Sequence, residues 1–383
     1  MGPDWPSAEL RQVVQLDLDK VQVDPAAAYN MVGVLSFGKG LFHRGPVSGN
    51  NTSYKYFYRL KEDHVVMSQL FGWEGALALS ASEFAGKFLS PQFPTFMCDQ
   101  RVLDRRYLGW FIRRPVFWEE LGKRAKGMGD RRRTLNPESL LSCYVPLPPI
   151  SEQRRIVGKI DEMAAKIEEA QRLRRQTAEQ TQVFITNLHI QLAGNRSRKL
   201  GDILKLCEDE VQVLPDRQYP QVGVKSFGAG LFAKTAVTGM GTTYKTFNRL
   251  YEGALVLSQV KGWEGAVAIC GRELAGTFVS PEYRTFRCVP SEARPGYLST
   301  LVRTEWFWRR LIYATRGVGA RRERTRPEQF LTLGLPMPDI EQQQKGEAVF
   351  ASVDLLKSLR SQTSKELDAL LPSILDKAFK GEL

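Results

Sequence analysis

Tyr29-Asn-Met-Val-Gly-Val-Leu-Ser-Phe-Gly-Lys-Gly-Leu-Phe42 is written a second time, 190 residues later, as Tyr219-Pro-Gln-Val-Gly-Val-Lys-Ser-Phe-Gly-Ala-Gly-Leu-Phe232. The offset holds without a gap from Leu10/Leu200 through Tyr54-Lys55/Tyr244-Lys245 and Ser68-Gln69/Ser258-Gln259. It continues through Gly72-Trp73-Glu74-Gly75-Ala76/Gly262-Trp263-Glu264-Gly265-Ala266 to Ser90-Pro91/Ser280-Pro281. Between Val32 and Cys98, 36 of 67 positions are identical to their partners. Self-similarity of this extent makes the chain two versions of one domain, whatever that domain is.

Each copy begins as short strands. Residues 57–60, 65–67 and 76–79 are β-prone runs separated by Gly, Asn and charged turns. Tyr107, Leu108, Phe111 and Ile112 then recur at helical spacing, as do Tyr297, Leu298, Leu301 and Val302. Gly127-Met-Gly129-Asp-Arg131-Arg132 follows, with its twin Gly317-Val-Gly319-Ala-Arg321-Arg322, and Pro146-Leu-Pro148-Pro149 or Pro336-Met-Pro338 closes the domain. Residues 151–193 and 340–378 read as long helices. Ile156, Ile160, Met163, Ile167 and Ala170 make a coiled-coil seam that lapses at Arg174 and Thr177 and resumes at Phe184 and Leu188. Val349, Val353, Leu356, Leu367, Leu370 and Ile374 serve the second helix, which Asp339-x-x-Gln342 opens in capping-box form. The expected fold class is α+β: a globule at 1–150, a helix at 151–195, a second globule at 196–339 and a second helix at 340–383.

The composition is that of an ordinary globular chain, with 43% hydrophobic and 25% charged residues in 383, and no apolar run long enough to span a bilayer. The start, MGPDWPSAELRQ, has no signal-peptide pattern. Five cysteines without CxxC spacing read as reduced thiols of a cytoplasmic protein, and three histidines are too few for a His-rich metal site. What stands out is the charge. The formal net charge is +12, and it is unevenly placed. Residues 104–136 carry a net +6 and the matching 294–326 a net +7, while the helical segments are close to neutral. A solvated helix face accounts for one such run. The same run in both copies, ending in paired arginines, points instead to a polyanion, since guanidinium groups match phosphate and guanine bidentately.

No catalytic constellation is present. Gly38-x-Gly40 and Gly127-x-Gly129 lack the further glycine and the acid of a dinucleotide site, and there is no GxxxxGK[ST]. The glycine and Asn/Asp-Pro-Pro-aromatic motifs of a base methyltransferase are missing. Pro215-Asp216 and Pro338-Asp339 have no Glu-x-Lys behind them to make a nuclease, and His43, His64 and His189 have no repeat partners. The candidate site is therefore one of binding: Arg131, Arg132, Arg133, Arg321, Arg322 and Arg324 for phosphates, with Lys39, Lys55 and Lys245. Tyr54 and Tyr244 are candidates for base contact, and Ser68, Gln69, Ser258 and Gln259, which alternate with apolar neighbours in a strand, either touch DNA or only face solvent. Trp73 and Trp263 either touch bases or pack beside a glycine turn. The pairs Lys39/Ala229, His43/Ala233, Asn50-Asn51/Met240-Gly241 and Phe71/Lys261 differ between the copies. Two recognition surfaces of different preference would differ in this way, and so would drifting surface loops.

Val145-Pro-Leu-Pro-Pro-Ile-Ser-Glu-Gln-Arg-Arg-Ile-Val157 resembles the start of the central conserved helix in the specificity subunits of type I restriction-modification systems. Leu371-Pro-Ser-Ile-Leu-Asp-Lys-Ala-Phe-Lys-Gly-Glu-Leu383 is similar to that family's terminal signature, and Ser280-Pro-Glu-Tyr283-x-x-Phe286 resembles its target-recognition strands. The second helix departs from the pattern, with Gly346 where the Ile-Val pair should begin. The resemblance implies two target recognition domains, each reading half of a bipartite site in double-stranded DNA, and two helices packed as an antiparallel coiled-coil spacer. It also implies a chain without catalysis or cofactor of its own. Two methyltransferase subunits using S-adenosylmethionine would dock on the helices, and ATP-driven restriction subunits would join the complex. A specificity subunit of another restriction or phage-defence system, or a non-enzymatic coiled-coil adaptor, are the alternatives.

Overall fold

The computed structural model describes residues 5–125, 133–316 and 324–383. Mixed helix and sheet divide into two compact units, residues 1–172 with 363–383 and residues 173–362. Each long helix contributes to both.

In the first unit, strand Ser7–Glu9 pairs antiparallel with Tyr144–Pro146 and ties the two ends of the globule together. A four-stranded antiparallel sheet runs in the order Val14–Leu16, Thr95–Cys98, Val65–Met67, Leu77–Leu79. A five-stranded sheet runs Lys20–Gln22, Tyr56–Arg59, Phe88–Leu89, Ala28–Val34, Leu41–Ser48, which leaves the last strand as an exposed edge. Helix Arg105–Phe111 begins at Asp104, whose carboxylate accepts from the amides of Arg106 and Tyr107. Helix Pro115–Lys123 starts on a proline, which lacks only an amide that a first turn leaves unpaired anyway. Tyr107, Leu108, Phe111 and Phe117 bury against Val65, Met67, Leu77 and Phe96 of the four-stranded sheet.

The second unit repeats the plan. Ser197–Lys199 pairs with Gly334–Pro336, and the four-stranded sheet runs Leu204–Leu206, Tyr283–Cys288, Leu255–Ser258, Val267–Ile269. Helix Pro295–Leu301 covers it with Tyr297, Leu298 and Leu301. Its second sheet is broken into shorter pieces, such as Val222–Val224 with Leu231–Ala233.

The long helices span Ile150–Ala193 and Ile340–Phe379. In the first unit Arg155 donates to the Leu383 carbonyl and Gln171 to Asp368, at 2.8 and 3.1 Å. In the second, His189 stacks on Phe350 at 4.4 Å. A Cβ on Gly346 would lie 2.9 Å from Leu192. Gly346 thus packs tightly against Leu192 of the other helix, and the departure from the motif leaves the helix unbroken. In each unit the two helix segments run in opposite directions.

The inward stripe differs from the expected seam in part. Ile156, Ile160, Ile167 and, less deeply, Met163 and Ala170 face inward as expected, but Phe184 is exposed and Ile185 and His189 are buried instead. On the second helix Val353, Leu367 and Ile374 are sheltered, whereas Val349, Leu356 and Leu370 are exposed. The sheltered positions step regularly by three and four through Gly346, Phe350, Val353, Lys357, Arg360, Ser364 and Leu367. Reading hydrophobicity alone missed them because the middle of the stripe is polar.

Candidate nucleic-acid interface

The repeated Ser-Phe-Gly loop is held by the repeated Gly-Trp-Glu-Gly turn. The Phe37 amide donates to the Glu74 carbonyl at 2.8 Å and that of Gly38 to Gly75 at 3.0 Å, and the bonds recur at 2.7 and 3.0 Å from Phe227 to Glu264 and Gly228 to Gly265. The Ser36 and Ser226 hydroxyls donate to the carboxylates of Glu74 and Glu264. Gly75 turns with φ of 81°, and a Cβ there would lie 2.4 Å from Trp118, so no other residue fits. Two motifs shared by the copies thus form a clasp.

Glutamine of the Pro-rich motif ties each globule to its helix. Gln153 is fully buried. Its side-chain amide donates to the carbonyls of Val102 and Pro148 at 2.9 and 2.8 Å, and its oxygen accepts from the Asp104 amide at 2.8 Å. Gln343 does the same with Glu292, Pro338 and Arg294 at 2.8, 2.8 and 2.9 Å. Asp339 completes half of the expected cap by accepting from the Gln342 amide.

No family model and no curated protein matches the sequence. Solved structures do. The HsdS subunit from Thermoanaerobacter tengcongensis is 17% identical with a TM-score of 0.56, covering 100% of this chain and 98% of that one. A structure concerned with complex assembly and conformational transition of the type I restriction-modification system is also 17% identical, with a TM-score of 0.70 and 100% of both chains covered. The fold is that of a type I specificity subunit.

Within this specificity-subunit fold the candidate contact residues fall into two groups at opposite ends of the hairpin Ala28–Val34/Leu41–Ser48. Lys39 lies in the turn at one end, whose loop is clasped to the turn holding Trp73. The Leu135 amide donates to the Gln69 carbonyl at 2.8 Å. The Arg133 guanidinium lies over the Trp73 ring at 5.6 Å. At the hairpin's other end Tyr54 and Lys55 are exposed on a loop that pairs with Val23, and Tyr244 and Lys245 are exposed on its twin, which pairs with Val213. Trp73 and Trp263 are half-buried, and the Trp73 ring donates to Leu70.

Some expectations change. Ser68 and Ser258 are buried, and each hydroxyl accepts a backbone amide, from Phe71 and Lys261. They shape turns and present no hydroxyl outward, because Val65–Met67 and Leu255–Ser258 are interior strands of their sheets and each serine closes the turn that follows. The twin basic stretches also look different. Arg105 pairs with Asp63, Arg106 with Asp161, Arg114 with Asp376, Arg124 with Glu120, Arg294 with Glu347, Arg303 with Asp354 and Arg324 with Glu282. Arg113 and Arg310 stack on Trp110 and Trp306 at 4.4 and 3.8 Å. Burial holds both of these guanidiniums below the usual arginine range. Much of the charge counted from sequence thus serves attachments inside each unit. Arg131, Arg132, Arg321 and Arg322 lie outside the described residues.

The pairs that differ between copies behave uniformly. Lys39/Ala229, His43/Ala233, Asn50-Asn51/Met240-Gly241 and Phe71/Lys261 are exposed in both units. His64 is buried against Asp17, and the five cysteines are free, with burial pushing the Cys143 thiol up to about 12. No group of residues that could hold a metal occurs among the described residues, nor does any helix long and apolar enough to cross a membrane.

Proposed function

We propose that this chain is the DNA sequence-recognition subunit of a type I restriction-modification assembly. The observation that carries the reading is the division of labour inside the repeat. The shared Ser-Phe-Gly and Gly-Trp-Glu-Gly motifs build the clasps, and the differing pairs named above all face outward. A scaffold that must be the same twice while its surface differs suits a reader of two half-sites, and the fold it shares with type I specificity subunits supports this.

Each globule, 1–150 and 196–339, is a target recognition domain that reads one half of a bipartite site in the major groove. Lys39, His43, Asn50, Asn51, Gln69 and Phe71, with their counterparts, and Tyr54 and Tyr244 are the candidates for base discrimination, and Lys55, Lys245 and the arginine pairs for the DNA backbone. The helices 151–195 and 340–383 form an antiparallel coiled-coil spacer that sets the unread gap. Methylation with S-adenosylmethionine and ATP-driven cleavage belong to partner subunits, and two methyltransferase subunits dock on the helices. Exposed Phe184 and Leu356, which line one groove between the helices, provide apolar surface for this.

Because the globules are so alike, the half-sites are related, approximately inverted sequences. Single-molecule sequencing of methylated DNA from cells expressing the complete system tests the reading. A methylated sequence of two short halves around a fixed gap is expected. The absence of methylation dependent on this chain overturns the assignment, and wholly unrelated halves overturn the inverted relation.

A further inference from the structure

Arg113 is half-buried, yet it donates no hydrogen bond and meets no carboxylate at ion-pair distance among the described residues. Its guanidinium lies on the Trp110 ring at 4.4 Å, which occupies the flat face and leaves the N–H edge free. A guanidinium withdrawn from water without a counter-charge is unfavourable until an anion reaches it. The residue lines a cavity of about 300 Å³ with Gly38, Lys39, Gly40, Arg106, Trp110 and Asp161.

The charges in that cavity do not cancel. Asp161 is already engaged, accepting from Arg106 and, at 2.9 Å, from the Trp110 indole. Glu168, on the same long helix, acts on Arg113 only from beyond ion-pair distance. Lys39 is exposed and also lacks a carboxylate among the described residues; its ammonium stands 5.9 Å from the Phe37 ring centre. The backbone amides of Lys39 and Gly40 have no acceptor among the described residues. The second unit spends the equivalent arginine differently. Arg303 donates to Asp354 at 3.2 Å. Ala229 stands for Lys39, Gly296 for Arg106 and Thr300 for Trp110, and Glu273 lines the cavity there. The repeat has kept the arginine in both units and left it unpaired, among cations, in only one. A phosphate presents oxygens in several directions, which matches a guanidinium fork, an ammonium and two amides better than a carboxylate does.

We infer that the cavity at Arg113 and Lys39 is a phosphate-binding site carried by the first unit alone. Arg113 takes two phosphate oxygens bidentately, and the Lys39 ammonium with the Lys39 and Gly40 amides takes the others. Lys39 then serves a phosphate, and base discrimination falls to the other exposed pairs. The phosphate belongs either to a DNA backbone, which deepens the DNA-recognition reading and rests on it, or to a free phosphate compound.

The full chain is titrated with inorganic phosphate at constant ionic strength while the fluorescence of its tryptophans, Trp110 among them, is followed. Saturable binding to wild type is expected, weakened about ten-fold in Arg113→Gln and about three-fold in Lys39→Ala. Lys39 is exposed, so its replacement should leave the melting temperature unchanged, which separates lost binding from lost folding. Arg303→Gln in the twin cavity should leave phosphate affinity as in wild type. Absence of saturable binding overturns the proposal. So does unchanged affinity in either first-unit variant, an equal loss in Arg303→Gln, or acetate bound as tightly as phosphate. The salt dependence of duplex DNA binding then identifies the source. A slope lowered by about one in Arg113→Gln assigns the phosphate to the DNA backbone, and an unchanged slope assigns it to a free phosphate compound. A chain that binds no phosphate loses this site alone, because the specificity-subunit reading is decided by the methylated sequence.

Discussion

Gln153 shows how one side chain can be worth a motif. It satisfies two carbonyls and one amide where the chain passes from globule into helix, in a place without access to water. Gln153→Leu keeps much of the volume but orphans three backbone groups, at about 1 kcal/mol or more each. The first unit should lose about 3 kcal/mol in urea denaturation, and Gln343→Leu should do the same to the second. His189 supplies a pH dependence. Burial lowers its pKa from 6.5 to about 3, and its Nδ1 has no hydrogen-bond partner. Between those values the unfolded chain binds a proton that the folded one refuses. The contribution is therefore complete above pH 6.5 and declines as pH falls towards 3, by about 1.4 kcal/mol per unit. Denaturation midpoints at pH 7.5 and 5 should separate in wild type, by an amount reduced in His189→Gln.

The elements divide between what pattern reveals and what it hides. The strands at 65–67 and 77–79 and both long helices were legible from their runs and periodicity, since local chain geometry and burial impose those periods directly. The seam was legible only where it is apolar. Lys357, Arg360 and Ser364 occupy its middle, and Leu355, Leu356 and Leu359 lie outside it. Hydrophobicity cannot distinguish a leucine facing the neighbouring helix from one left uncovered on the outside. The edge hairpin and its flanking loops carry the differing pairs. Replacing Lys39, His43, Asn50-Asn51 and Phe71 by Ala, Ala, Met-Gly and Lys should change the methylated half-site assigned to the first unit. Since all are exposed, melting temperature should stay within a few degrees. An unchanged methylome would remove these positions from base reading.

On the scale of the molecule, the last segment of the chain completes the first unit. Leu375, Ala378 and Phe379 are buried in its core, with Phe379 against Tyr107 and Phe111 at 4.8 and 5.3 Å. A chain ending at residue 362 should lose the cooperative melting of the first unit while the second still unfolds as a unit. Phe379→Ala alone should cost the first unit about 3 kcal/mol or more. Calorimetry distinguishes the two transitions.

The sequence by itself determined the duplication, the strands and helices that compose each copy, and the resemblance that led to the specificity-subunit fold. These are matters of order along the chain, and order is what a sequence records. Only the tertiary structure decided that many of the described arginines of the basic runs meet carboxylates and rings of their own unit, and that Ser68 and Ser258 face inward. It also decided that the C-terminal helix belongs partly to the first globule. Each depends on which distant groups meet: Arg114 finds Asp376, Arg324 finds Glu282 and Phe379 finds Tyr107. A charge has the same symbol in the sequence whether it waits for a phosphate or already holds a partner, and only the folded geometry separates the two.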